Sequence, residues 1–197
     1  MKVKELLILS AVSFFIASCG GGNGGSKSFV DSNSNIPYLK QNHDKYKEYG
    51  STLSPAPKKD ESKLSIDWII EAQSRDAAKK LAQHIKFMEN KLKTNQNPRA
   101  FDKLFLMEAY MKYHKEYDTV IEQNGKIVTV SKTAKNRCAY MVISAHSDAV
   151  SKDFFARGDI SKDYSNIAED ILKSQDCSSQ KSDIEAYIKE RQKGRRM

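Results

Sequence analysis

Between residues 20 and 63 the chain holds only scattered apolar side chains, and this gap decides what part of it can fold. Apolar residues occupy one block from Lys2 to Ala17 and a second from 64 to 191, so any core must come from the second. Hydrophobic residues are 39% of the 197 and charged residues 29%, which suits one ordinary domain carrying unpacked tails. The gap reads "GGGNGGSKSFVDSNSNIPYLKQNHDKYKEYGSTLSPAPKKDESK", where Gly, Ser, Asn, Lys and Pro dominate. A segment of that composition buries too little to offset its chain entropy, so a disordered tether is expected. As a flexible coil it would span roughly 35–40 Å, with the Pro pair at 55 and 57 as its stiff point. Its sub-segment "YLKQNHDKYKEY", 38 to 49, reads as solvated linker, with a transient helix or docking motif as the other reading.

The first block has a different logic. "MKVKE" supplies Lys2 and Lys4, "LLILSAVSFFIA" follows as an apolar run, and the small residues Ala17 and Ser18 precede Cys19. That is the order of a secretory signal, and the run is shorter than the roughly 17–25 apolar residues a membrane-spanning helix needs. "IASC", Ile16 to Cys19, resembles the lipobox of bacterial lipoproteins. The resemblance covers about the first 25 residues. It implies cleavage before Cys19, diacylglycerol on its sulfur and usually acylation of the freed amine. Several acyl chains give lasting membrane attachment where one does not. Gly20, in place of an Asp, resembles the outer-membrane-sorted set. The implied organisation is a signal peptide (1–18), a lipidated flexible tether (19–63), a folded domain (64–192) and a basic tail (193–197), in the periplasm or on the outer membrane rather than the inner.

The net charge is +8. Removing residues 1 to 18 takes away two lysines and one glutamate, so the basic character belongs to the mature chain. Outside the cytoplasm nucleic acid is not the expected partner. Membrane contact is expected through the N-terminal lipid. The positive charge points to an envelope protein or an anionic envelope polymer, through lipid phosphates, peptidoglycan carboxylates or an acidic protein face. The densest basic run is "KERQKGRRM", with Arg195 and Arg196 as candidate contacts and a frayed solvated terminus as the plain reading.

The folded part reads as all-α, a bundle of about five helices with one break. Ile66, Ile70, Ala77, Leu81, Ile85, Met88 and Leu92 recur at three-, four- and seven-residue steps behind Ser65 as a cap, predicting one long helix. Asn97-Pro98 opens a second, carrying Phe101, Leu104, Phe105, Tyr110, Met111, Tyr113 and Tyr117. Asn124-Gly125 within "VIEQNGKIVTV" predicts a short β-hairpin near 120–130, the alternative being a helix that stops on Gly125. Helical spacing resumes over 134–155, halted at Gly158, then over 162–173 and 183–192.

With Cys19 assigned to the lipid, Cys138 and Cys177 remain. In an exporting compartment a disulfide is the default for such a pair, two separately buried thiols being the other reading. No His or Cys spacing writes a metal site, and none of His43, His84, His114 and His146 belongs to a zinc motif. "SAHSDAV" places Ser144, His146, Ser147 and Asp148 together, but neighbours one or two apart on a helix do not face each other, so they form no triad. "DISKDYSNIAED" has Asp159, Ser161 and Asp163 at calcium-loop positions yet Tyr164 where the turn needs Gly; helix capping explains the same residues. The tripeptide at 157–159, Arg-Gly-Asp, needs no receptor if Gly158 ends a helix. Tyr110, Tyr113 and Tyr117 cannot all face one core, so they are candidate binding residues, or else serve a second helix contact. No catalytic set, metal or cofactor is expected. The expected function is a non-enzymatic binding or assembly module, the alternative being an envelope hydrolase in which His146 meets carboxylates of other helices only in the fold.

Overall fold

Ile66 and Ile70 fit a helix at four-residue spacing and a strand at two-residue spacing, and Trp68 between them breaks the tie. In the computed structural model, which describes residues 56–96, 99, 101–155 and 162–193, these three line the inner face of a strand at 1%, 7% and 0% exposure. The all-α expectation is corrected: the described residues form an α+β fold of five α-helices and a four-stranded antiparallel sheet. The long helix begun at Ser65 is replaced by strand, loop and helix. The signal segment, Cys19, nearly all of the expected tether, residues 157–159, Asp159, Ser161, Arg195 and Arg196 lie outside the described residues.

Strands β1 (Lys58–Asp60) and β2 (Ser65–Glu71) form an antiparallel pair, with Lys59 opposite Ile66. Their turn is held by Asp60, whose carboxylate accepts from the backbone N–H groups of Ser62 and Lys63 at 3.0 and 3.2 Å and from the Ser62 hydroxyl at 2.6 Å. These bonds, the Ser62 hydroxyl first, hold the Asp60 carboxyl down at about 2. β1 lies inside the stretch read as tether, so order begins before residue 64.

Helix α1 (Arg75–Lys93) starts where Ser74 Oγ accepts from Ala77 N–H at 3.0 Å, and it ends at Thr94 and the left-handed Asn95, φ 61°. Helix α2 (Lys103–Tyr113) is capped by Asp102, not by Asn97, and stops before Tyr117, which lies on a strand. β3 (Tyr117–Asn124) and β4 (Ile127–Ala134) make the expected hairpin, longer than predicted, with Gly125 at φ +58° in its turn. The sheet order is β1-β2-β4-β3. Helix α3 (Arg137–Ala149) is capped by Asn136 and continues as a π-helical segment, Val150–Phe155. Helix α4 (Ser165–Lys173), a 3₁₀ turn (Gln175–Cys177) and helix α5 (Lys181–Lys193) complete the described chain.

The helices sit on one face of the sheet. Ala77, Ala78, Leu81 and Ala82 of α1 pack on Trp68, Ile70, Val128 and Val130. α2 runs through the middle of the helical layer against α1, α3, α4 and α5, so its sides carry Leu104, Leu106, Met107, Ala109 and Met111, each fully buried. The other sheet face leaves Ile69 and Val120 open at 40% and 56%.

Within α1, His84 is 8% exposed, and burial pushes its imidazole down to about 4 from the ordinary 6.5. The unfolded chain therefore takes up a proton there between those values while the fold stays neutral. Stability present above pH 6.5 should be lost as pH falls toward 4, by on the order of 3 kcal/mol at most. Urea unfolding of the wild type and His84→Leu at pH 7 and pH 4.5 measures this. The variant should lose less stability between the two pH values; an identical loss would defeat the assignment.

Candidate functional site

Among the described residues, the largest constellation of ionisable side chains is buried between sheet and helices. α2 contributes Glu108 and Lys112 one turn apart, α1 Glu89, α3 His146, β4 Lys132, and β3 Tyr117 and Thr119. Lys132 occupies the inward row after Val128 and Val130, directly opposite Thr119 in the ladder. Its Nζ donates to Glu108 Oε1 at 2.6 Å and lies 3.2 Å from Glu89 Oε1. Lys112 Nζ is 2.7 Å from Glu89 Oε2 and donates to Thr119 Oγ1 at 2.8 Å; Thr119 in turn donates to Glu89. Glu108 Oε1 also accepts from Tyr117 Oη at 3.2 Å, and Glu108 Oε2 lies 2.9 Å from His146 Nε2. The Tyr117 ring lies under both ammonium groups, 4.5 Å from Lys112 and 5.2 Å from Lys132.

Burial alone would raise the Glu108 and Glu89 pKa values, but their hydrogen-bonding and charged neighbours reverse the sign. His146 and Lys132 hold Glu108 well below the carboxylate range, and Lys132 and Lys112 hold Glu89 below it. Burial would lower Lys132, and Glu108 and Glu89 raise it instead. Burial, and after it the charge of Glu108, raises Tyr117, so its hydroxyl stays a donor. Two carboxylates thus face two ammonium groups, closed from water: Glu108 is 1% exposed and Lys132 7%. A general base needs a proton affinity near the working pH and room for a substrate. Glu108 has neither, because both its oxygens are engaged and its charge is fixed. The cluster clamps α1, α2 and α3 to the hairpin.

A second cluster, buried except for Lys162, adjoins it. Asp102 caps α2 by accepting from Leu104 and Phe105 N–H, and also receives Arg99 Nη2 at 3.1 Å and Tyr164 N–H at 3.3 Å. Asp153, 1% exposed, accepts from Tyr164 Oη at 2.6 Å and Lys162 Nζ at 3.0 Å. Phe105 links the clusters, its ring centroid 4.4 Å from the His146 ring and 4.1 Å from the Arg99 guanidinium carbon.

Open polar surface is found elsewhere. A groove of about 610 Å³ runs between α4 and α5 and reaches the start of α2. Lys103, Lys173, Lys181, Lys189 and Lys193 line it against Glu169 and Glu185, over Leu172 and Ile188.

The candidate residues are dispersed. Of the three tyrosines, Tyr117 is core at 1% and Tyr110 at 7%, the latter 5.6 Å from the Tyr187 ring; only Tyr113, at 46%, reaches solvent. Cys138 and Cys177 are brought together, their sulfurs 2.01 Å apart. "SAHSDAV" splits three ways: His146 turns to Glu108, Ser147 donates to the Ile143 carbonyl and Asp148 pairs with Lys59. Asp163 accepts from Ser165 N–H at the start of α4, and among the described residues no group of His, Cys, Asp and Glu could hold a metal ion. Sequence reasoning passed over Glu108 and Lys132. Their signal is an acid alone among apolar neighbours on α2 and a lysine in the apolar phase of a strand, opposite charges at two core positions. The groove lysines come from three separate segments, which no local pattern connects. No family model, curated protein or solved structure matches the chain.

Proposed function

We propose that this chain is a lipid-anchored bacterial envelope protein whose folded part is a non-enzymatic binding or assembly module. The reading is supported at the N-terminus by "IASC" and Gly20, and in the fold by a contrast between two surfaces. The constellation with catalytic residue types is closed and charge-balanced, whereas the lysine groove is open and carries excess positive charge. That contrast carries the conclusion. The hydrolase reading gains the His146–Glu108 contact, but Glu108 would have to release both Lys132 and Tyr117 before it could act on a substrate.

Attachment is tested by Cys19→Ala. The substitution should abolish palmitate labelling in cells and leave a precursor that retains residues 1–18, seen by mass. Unchanged labelling would defeat the anchor. Lipid attachment fixes one end of the chain, and the folded part then works on what comes within the reach of residues 19–55.

A further inference from the structure

We propose that the groove between α4 and α5 receives an acidic, amphipathic peptide segment of a partner protein, an inference that rests on the binding-module reading. Five lysines and two glutamates line the groove, so it presents net positive charge to whatever enters. Three of the lysines have partners: Lys103 with Glu169 at 2.5 Å, Lys173 with Asp170 at 2.9 Å and Lys181 with Glu185 at 3.9 Å. The groups in these pairs are about a third to three-quarters exposed, and exposed pairs contribute little, so an incoming carboxylate can replace the internal one. Lys189 and Lys193 have no ion-pair partner among the described residues.

The shape selects among anionic partners. Lys181, Glu185, Ile188, Lys189, Gln192 and Lys193 follow one another along the wall formed by α5, a length of about 18 Å at 1.5 Å per residue. Leu172 and Ile188 lie at the base of the groove at 7% and 6% exposure, so the methylene stems of the lysines supply most of the apolar floor between the charged rims. The α5 face runs this full length while the α4 side, Glu169 to Lys173, spans about one turn, so a helix of about three turns can lie along α5 with apolar residues inward and carboxylates to either side. A flat bilayer would touch the rims and leave the floor unfilled. Charge complementarity and the apolar floor together favour the peptide.

The test uses the full chain in detergent and a fluorescein-labelled peptide of about twelve residues, leucines at helical spacing and glutamates between them. Binding read by anisotropy should occur and weaken as salt rises. The double variant Lys189→Glu with Lys193→Glu should bind at least about tenfold more weakly, while Lys79→Glu with Lys86→Glu, exposed on α1 away from the groove, should stay within about twofold. Circular dichroism checks that both variants remain folded. Equal binding by the groove variant overturns the proposal. So does failure to bind the peptide, with phosphatidylglycerol vesicles bound instead pointing to a membrane surface. Photo-crosslinkers placed at Lys189 and at Glu122 in cells separate this proposal from the reading beneath it. A protein adduct at Lys189 that the acidic peptide competes away supports it. An adduct only at Glu122 overturns the groove and spares the binding module, and no adduct at either overturns both.

Discussion

Glu108→Ala should lower the unfolding free energy by about 3–5 kcal/mol, because it leaves Lys132 buried without its nearest counter-charge. Lys132→Met should cost a similar amount by the converse route, stranding Glu108 at 1% exposure beside Glu89. The double variant Glu108→Leu with Lys132→Met is the informative one. It leaves Glu89 and Lys112 as a balanced pair 2.7 Å apart. Its loss should therefore fall well short of the sum of the two single losses, a coupling of roughly 1–3 kcal/mol. Urea unfolding of the four proteins at pH 7 measures the cycle. Single losses below about 1 kcal/mol, or strict additivity, would mean that the clamp is not what joins the helices to the hairpin. Since Glu108 is held below the ordinary carboxylate range, its contribution is present above pH 4.5 and disappears only as pH falls through its lower folded value.

Reduction of the Cys138–Cys177 bridge should cost nearly as much. The bond closes a separation of 39 residues and joins the first turn of α3 to the 3₁₀ turn before α5. In the chain-entropy treatment that constraint on the unfolded chain is worth about 4 kcal/mol. Both cysteines are at most 1% exposed, so alkylation of the native protein would report burial rather than oxidation. The chemistry has to be read after unfolding in denaturant with iodoacetamide present and no reductant. We expect no label at either position and a large fall in the urea midpoint when dithiothreitol is added. Labelling of both cysteines would show that the protein keeps free thiols.

What could be read from the sequence follows from whether a signal is local. Asn124-Gly125 marks its hairpin because a two-residue turn and its flanking β-branched residues lie within one short window. α3, α4 and α5 were legible to within a few residues for the same reason. β2 was not: "SIDWIIE" satisfies both periods at Ile66 and Ile70, and with α1 following in phase the helical count absorbed it. What settles it as a strand is pairing with β4, far away in sequence, as in Ile66 opposite Lys132. Tyr117 was misplaced on a helix because its role depends on Glu108 behind it and Lys132 beside it, partners on other elements. Sites built from residues distant in sequence cannot be seen by spacing rules, whether closed like the clamp or open like the groove.

β1 gives the domain a mechanical order. Tension arriving through the residues before Ala56 enters the fold at a strand of three residues, paired on one side and fastened from its flank by the Lys59–Asp148 contact of 2.5 Å. β2 lies behind it in the sheet, with seven ladder pairs to β4, and the clamp and the bridge lie deeper still. A pull would peel Lys58 to Asp60 and draw out the Asp60 turn first, releasing about 20 Å of chain at 3.3 Å per residue while the core stayed intact. Under a pull applied at its N-terminal side, the first strand would act as a fuse that yields slack before the seven-pair ladder behind it takes the load.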